Sequence, residues 1–280
     1  MTTVTGIKTG WHNLNRMMGG LNELSFGKLI MIGGLAHTYK SGLLHALHLH
    51  TCLQAPPEVA KGKKPGVLFL TSMRRPYDEI TWMYNAMLEA SPDDKPVTPR
   101  NTFEVCEYVE NTLQSAGWTS LVVQPVDHEY NEDDLILDIE KANQNGIEIR
   151  AVFIDDVAWS LNSTDLQSTL ETLRHYIGDI NILMVGTDRL NTDVAMLKQR
   201  LGDLYLPNMP ENNYWDSAFD LSTVVDTELF VDTRTVDDRR YLDIMRGKPV
   251  SVDNGPVQYR NAVIPFFGYL TPPVDIFAAK

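Results

Sequence analysis

Five short apolar runs, each followed by a stretch of helical spacing, constrain this chain more than any other feature. They are Lys28–Gly33 (KLIMIG), Val67–Thr71 (VLFLT), Ser120–Gln124 (SLVVQ), Arg150–Asp155 (RAVFID) and Ile182–Gly186 (ILMVG). Their apolar residues fall on both faces, as in strands covered by helices on each side. Such strands alternating with helices fold as an α/β domain around a mostly parallel central sheet. The helical patterns lie near 41–54, 77–90, 131–145, 164–177 and 192–204. The last third changes character. There Val224–Asp232, Arg239–Arg246 and Gln258–Phe266 read as strands, with Asp237-Asp238-Arg239-Arg240 as a hairpin turn. A C-terminal antiparallel extension is therefore expected beside the parallel core.

Composition narrows the functional classes. A chain of 280 residues is long enough to bury a sizeable core and sits near the upper end for one domain. A net charge of −13 argues against a monomer coated in basic surface for nucleic acid. It leaves room for a narrow basic channel shared by several subunits. No run approaches the roughly eighteen apolar residues of a membrane span. The opening MTTVTGIKTG lacks the apolar core of a signal peptide, so the expected location is cytoplasmic. Cys52 and Cys106 supply no disulfide framework and no metal framework.

The first apolar run leads into Gly34-Leu-Ala-His-Thr-Tyr-Lys-Ser41. A loop that cradles nucleotide phosphates reads G-x-x-x-x-G-K-[ST], between a strand and a helix. Each fixed position matches except the second glycine, which here is Tyr39. Lys40 is placed to pair with the β and γ phosphates and the Ser41 hydroxyl to ligate Mg²⁺. Gly42 follows in the first helical turn. The replaced glycine matters because that position favours φ above zero, which costs a tyrosine about 1 kcal/mol or more. Asp155 closes the fourth apolar run, where an acid anchors Mg²⁺ in such sites. The competing reading of Asp155, and of Asp156 beside it, is an ordinary strand-end or helix-capping acid.

Residues 5–21 read TGIKTGWHNLNRMMGGL, followed by FGKLIMIGG. Thr5, Gly6, Ile7, Thr9, Gly10, Leu14, Asn15, Gly19, Gly20 and Leu21 match the entry to the ATPase domain of DnaB-type replicative helicases. The resemblance runs on through VLFLTSM, FIDDVAWS, ILMVGTDRLN and YLDIMRGKPV. It implies a RecA-like P-loop fold spanning 1–280 as one ATPase domain. The entry motif would occupy 1–27, the parallel core 28–222 and the β extension 223–280. It also implies ATP and Mg²⁺ as cofactors, a homo-oligomer in the form of a hexameric ring, single-stranded DNA in the ring channel, and replisome proteins as partners. Arg189, Lys198 and Arg200 would face the DNA, the competing reading being a solvated helix face. Arg246 or Lys248 would reach a neighbouring subunit's nucleotide. No segment matches the helical N-terminal domain of the cellular helicases. Together with the altered motifs, this gives the expectation of a viral or mobile-element source.

Three departures bear on turnover. The family's second strand ends in a glutamate that activates water, whereas Thr71-Ser72-Met73-Arg74-Arg75 contains no carboxylate. Glu79, in the helix beyond, could substitute only if the loop refolds. The sensor glutamine after the fourth strand is replaced by something among Gly186, Thr187, Asp188 and Arg189. The C-terminal Lys-x-Arg is here Arg246-Gly247-Lys248, in reversed order. Two functions therefore stay open: an ATP-driven motor on single-stranded DNA, or a catalytically degraded relative that binds nucleotide or replication partners. His45, His48 and His50 read as packing histidines on a helix, with no carboxylate nearby in sequence to make a metal site. Asn131–Asp134 (NEDD) reads as a helix N-terminus.

Overall fold

The computed structural model describes residues 6–18, 24–72, 75–90, 102–125, 130–209, 214–216, 221–247 and 261–266. Its main sheet has eight strands: β3 (Leu29–Gly34), β4 (Lys64–Thr71), β5 (Thr119–Val123), β6 (Ile147–Asp155), β7 (Leu183–Arg189), β8 (Thr227–Val236), β9 (Arg239–Arg246) and β10 (Asn261–Phe266). Their spatial order is β10-β9-β8-β3-β7-β6-β4-β5. Pairing is parallel from β8 through β5 and antiparallel between β8, β9 and β10. This is the expected α/β architecture with a C-terminal antiparallel extension, as in RecA-like folds. The carboxyl ends of β3, β4, β6 and β7 meet along one edge, where ligands bind in open α/β sheets.

Both faces of the sheet are buried because apolar side chains alternate between two cores. Ile30 and Ile32 of β3 point into one, with Phe69 and Phe153. Leu29 and Met31 point into the other, with Leu68, Val152 and Ile154. The first core is closed by α2 (Lys40–Leu53), α3 (Pro76–Ala90) and α4 (Thr102–Ala116), through Leu43, Leu47, Met83, Val105, Val109 and Leu113. The second is closed by α5 (Glu132–Gln144) and α7 (Leu166–Ile180), through Leu135, Ile139, Leu170, Leu173 and Ile177. Each such side chain contributes roughly 1.5–3 kcal/mol when fully buried. The sequence reading passed over α4 and the short α6 (Val157–Ser160). The helix expected at 192–204 is α8 (Thr192–Leu201), closed by a 3₁₀ turn at Gly202–Leu204.

The N-terminal entry segment is an anchor under α2. Two short strands, β1 (Gly6–Ile7) and β2 (Leu24–Ser25), pair antiparallel beside α1 (His12–Met17). The Thr9 amide donates to Asn15 Oδ1 at 2.7 Å, and Gly10 takes φ 87°, so the turn into α1 needs this residue set. Trp11 stacks on His50 at 4.4 Å, and Gln54 accepts from and donates to the Lys8 backbone. Thr5, Gly19, Gly20 and Leu21 of the motif lie outside the described residues.

The extension ends in a half-solvated edge. In β10, Ala262, Ile264 and Phe266 are buried and the alternate positions are exposed. Pro265 is tolerated there because an edge strand has one side without ladder bonds. Asp237 and Asp238 both take positive φ between β8 and β9, the conformation a two-residue hairpin turn requires. The expected strand at Val224–Asp232 begins later, at Thr227, behind a 3₁₀ turn at Leu221–Thr223. The segment that follows α8 is fastened at Tyr214 and Trp215. Tyr214 and Trp215 donate to the buried Glu228 carboxylate at 2.5 and 2.8 Å.

Candidate functional site

The loop matched to a phosphate-binding pattern in the sequence spans the gap between the end of β3 at Gly34 and the start of α2 at Lys40. Tyr39 has φ 68° and ψ 21°, so its backbone adopts the left-handed conformation that a glycine would take. His37 is also left-handed, at φ 63°. Two such residues in one short loop store strain of about 1–2 kcal/mol each, and strain of this kind concentrates at functional sites. The Tyr39 ring is folded back over α2 and away from the loop. It packs on Phe266 at 4.6 Å, and the Arg240 guanidinium lies 5.9 Å from its centroid. A Cβ on Gly42 would fall 2.2 Å from the Tyr39 ring, so the ring fits only because Gly42 has no side chain. Tyr39 and Gly42 together replace the missing glycine.

No side chain caps the N-terminus of α2, so its first amides point into the loop and remain available to an anion. Lys40, at its head, makes no ion pair among the described residues. The Ser41 hydroxyl donates to Asp155 Oδ1 at 2.8 Å, bringing together the two residues placed on Mg²⁺ by the sequence. Thr187 of β7 donates to the same oxygen at 3.0 Å and accepts from the Asp156 amide at 2.7 Å. These are hard oxygen donors, few in number, beside the uncapped N-terminus of α2. That set fits Mg²⁺ carried mainly by phosphate and water. It does not fit a metal held by protein alone, and no group of three His, Cys, Asp or Glu suited to a metal occurs among the described residues.

A cavity of about 570 Å³ opens beyond the tips of β4, β6 and β7, with Ser72, Asp156, Trp159, Asp188 and Arg189 in its lining. Asp156 caps α6 by accepting from the Trp159 amide, and it pairs with Arg189 at 3.4 Å. Trp159, which the sequence did not single out, is 60% exposed at the cavity mouth. Asp188 is different. It is 5% exposed, it lies opposite Gly33 in the β3–β7 register, and it belongs to the sensor region named from sequence. Burial pushes its carboxyl up to about 7, with Asp156 and Asp216 adding to the rise. The Arg189 amide and the charge of Lys40 act against them.

Other sequence-predicted residues are placed elsewhere. Lys198 is turned onto Asp232 at 2.6 and 2.7 Å, in a bidentate pair that ties α8 to β8. Arg200 is exposed at the end of α8, and Arg189 is exposed at the cavity rim. Arg246 is 3% exposed and donates to the Met17 carbonyl at the end of α1, so its guanidinium faces inward. Burial lowers its pKa from the usual arginine value. Lys248 lies outside the described residues, as do Met73 and Arg74 after β4.

Glu79 is fully buried inside the first core, on α3, away from the phosphate loop. It contacts His45 Nδ1 through one oxygen and His48 Nδ1 at 3.1 Å through the other. His48 reaches Ser120 Oγ through its second nitrogen, at 3.0 Å. The histidines are packing residues as expected, but a carboxylate does join them, brought from the next helix. Glu79 is thus occupied as an internal counter-ion and is not positioned at the carboxyl edge of the sheet.

No curated protein matches the chain. A family model described as divergent DnaB-like ATPase matches residues 1–278, and with the phosphate loop, the Ser41–Asp155 pair and the RecA-like sheet now in place, the chain belongs to the divergent DnaB-like ATPases.

Proposed function

We propose that this chain binds Mg-ATP at the Gly34–Ser41 loop and hydrolyses it as a DnaB-like motor on single-stranded DNA, assembled as a ring. The observation that carries the reading is the left-handed backbone of Tyr39, with its ring folded onto Gly42 and Phe266. The loop keeps its shape although the glycine is gone. In this reading Lys40 pairs with the terminal phosphates, α2 presents its amides to them, and Ser41 and Asp155 hold the metal. A bound Mg²⁺ would offset phosphate charge as the leaving group departs. Arg189, at the cavity rim, and Arg200, in α8, are exposed cations that a ring would concentrate.

A second reading, nucleotide binding without efficient turnover, is favoured by one observation: Glu79 sits in the core and cannot activate water at the loop. ATP turnover of the full chain, with and without single-stranded DNA, separates the two. The motor reading expects turnover that rises several-fold on adding DNA. Saturable nucleotide binding with no turnover in either condition would leave the second reading standing and remove the first.

A further inference from the structure

Resting on that reading of the nucleotide site, we propose that Asp188 is the general base of this ATPase, taking the place of the strand-end glutamate that the chain lacks. Four other carboxylates are placed differently. Asp155 accepts from Ser41 and Thr187. Asp156 caps α6 and pairs with Arg189. Asp216 is exposed, on the segment whose amide bonds to the Arg189 carbonyl. Glu79 is held by two histidines in the core.

Among these five, Asp188 combines burial at the tip of a strand with a place in the cavity lining, and it makes no ion pair among the described residues. Its Oδ1 accepts a hydrogen bond from the Arg189 amide at 2.6 Å. Its strand pairs directly with β3, and the residue opposite is Gly33, next to the start of the phosphate loop. It is near enough to the head of α2 for the Lys40 charge to act on it. A low-dielectric position at the rim of a water-accessible cavity suits proton abstraction. The elevated carboxyl, at about 7, matches a base working near neutral pH.

The oxygen of a water molecule attacks the γ-phosphorus, and the bond to the β–γ bridging oxygen breaks. That electron pair leaves on the ADP β-phosphate. One water proton passes to the Asp188 carboxylate and is then released to solvent, leaving inorganic phosphate. Asp156, Asp216 and Lys40 are the charged groups acting on Asp188, and the Arg189 guanidinium is paired with Asp156.

The test compares wild type with Asp188→Asn, which imitates the protonated side chain and so favours folding. Two readouts are taken on the full chain: equilibrium binding of a fluorescent ATP analogue, and turnover of Mg-ATP across pH 5.5 to 9. The expected result is binding within about threefold of wild type, with turnover lowered at least about 100-fold. Wild-type turnover should also rise with pH to a plateau above about 7. Turnover of Asp188→Asn within a fewfold of wild type would overturn the assignment while leaving the nucleotide site intact. Wild-type binding without turnover would also overturn it. Absence of binding in wild type would remove the nucleotide reading as well.

Discussion

Glu79 and Asp188 are both buried carboxylates, and they behave in opposite ways. Burial alone would push Glu79 upward, but the charge and contact of His45, joined by His48, hold it down at about 2. Burial pushes Asp188 up to about 7, and its acidic neighbours reinforce the rise. The difference lies in the partners. A buried charge met by fitted counter-groups is part of the packing, and its loss exposes the whole desolvation cost. A buried carboxylate left facing a cavity with no cation on it is poised to exchange a proton. Glu79, which could have substituted only if the loop refolded, is therefore structural, and the proposed base is a residue at the tip of β7.

The comparison breaks most readily at Glu79. Glu79→Gln is expected to destabilise the fold by about 3–5 kcal/mol in denaturant unfolding, because two buried histidines lose their anion. Nucleotide affinity per folded molecule should stay unchanged. Wild-type stability in this variant would show that the cluster is not an ion pair.

The two acids also differ in the sign of their pH effects. With a folded value below the ordinary 4.5, Glu79 contributes stability that is present above that value and is lost as pH falls toward about 2. With a folded value above the ordinary 3.8, Asp188 binds its proton more tightly in the native state. Stability therefore declines as pH rises from about 4 to about 7. Asp188→Asn should abolish that decline, so its advantage over wild type grows to on the order of 1–3 kcal/mol at pH 8 and vanishes near pH 4. Melting curves at both pH values read this directly. An equal shift at both would contradict it.

Smaller effects are expected where the loop was rebuilt. Gly42→Ala drives a methyl into the Tyr39 ring and should weaken ATP binding about tenfold, or about 1.4 kcal/mol. Tyr39→Gly removes the left-handed cost and the ring together, so binding should remain within about threefold. A large loss in Tyr39→Gly would mean that the ring itself touches nucleotide.

Much of the fold was legible in the sequence, because period and turn chemistry are local. Strands with apolar residues on both faces, such as β3 and β6, could only be interior strands. The Asp237-Asp238 pair marked its hairpin. Helix α4 was missed because its apolar stripe of Val105, Val109 and Leu113 is set among Glu104, Glu107 and Glu110. Near the proposed site, spacing singled out Gly34, Lys40, Ser41 and Asp155, and the structure brings Ser41 and Asp155 into hydrogen-bond contact. What could not be found was long-range. The partner of His45 and His48 comes from another helix, and Lys198 is taken up by Asp232 across the fold. Asp188 stood in the sequence as one of four neighbours. Its burial, its cavity and its closeness to Lys40 exist only in three dimensions.

The central claim is that a tyrosine in the glycine position still forms a working phosphate loop. Equilibrium titration of the full chain with Mg-ATP, wild type against Lys40→Ala, tests it most directly. The account predicts saturable binding by wild type and a loss of at least about 30-fold in the variant, or about 2 kcal/mol. Equal affinity in the two proteins, or no saturable binding by wild type, would contradict it.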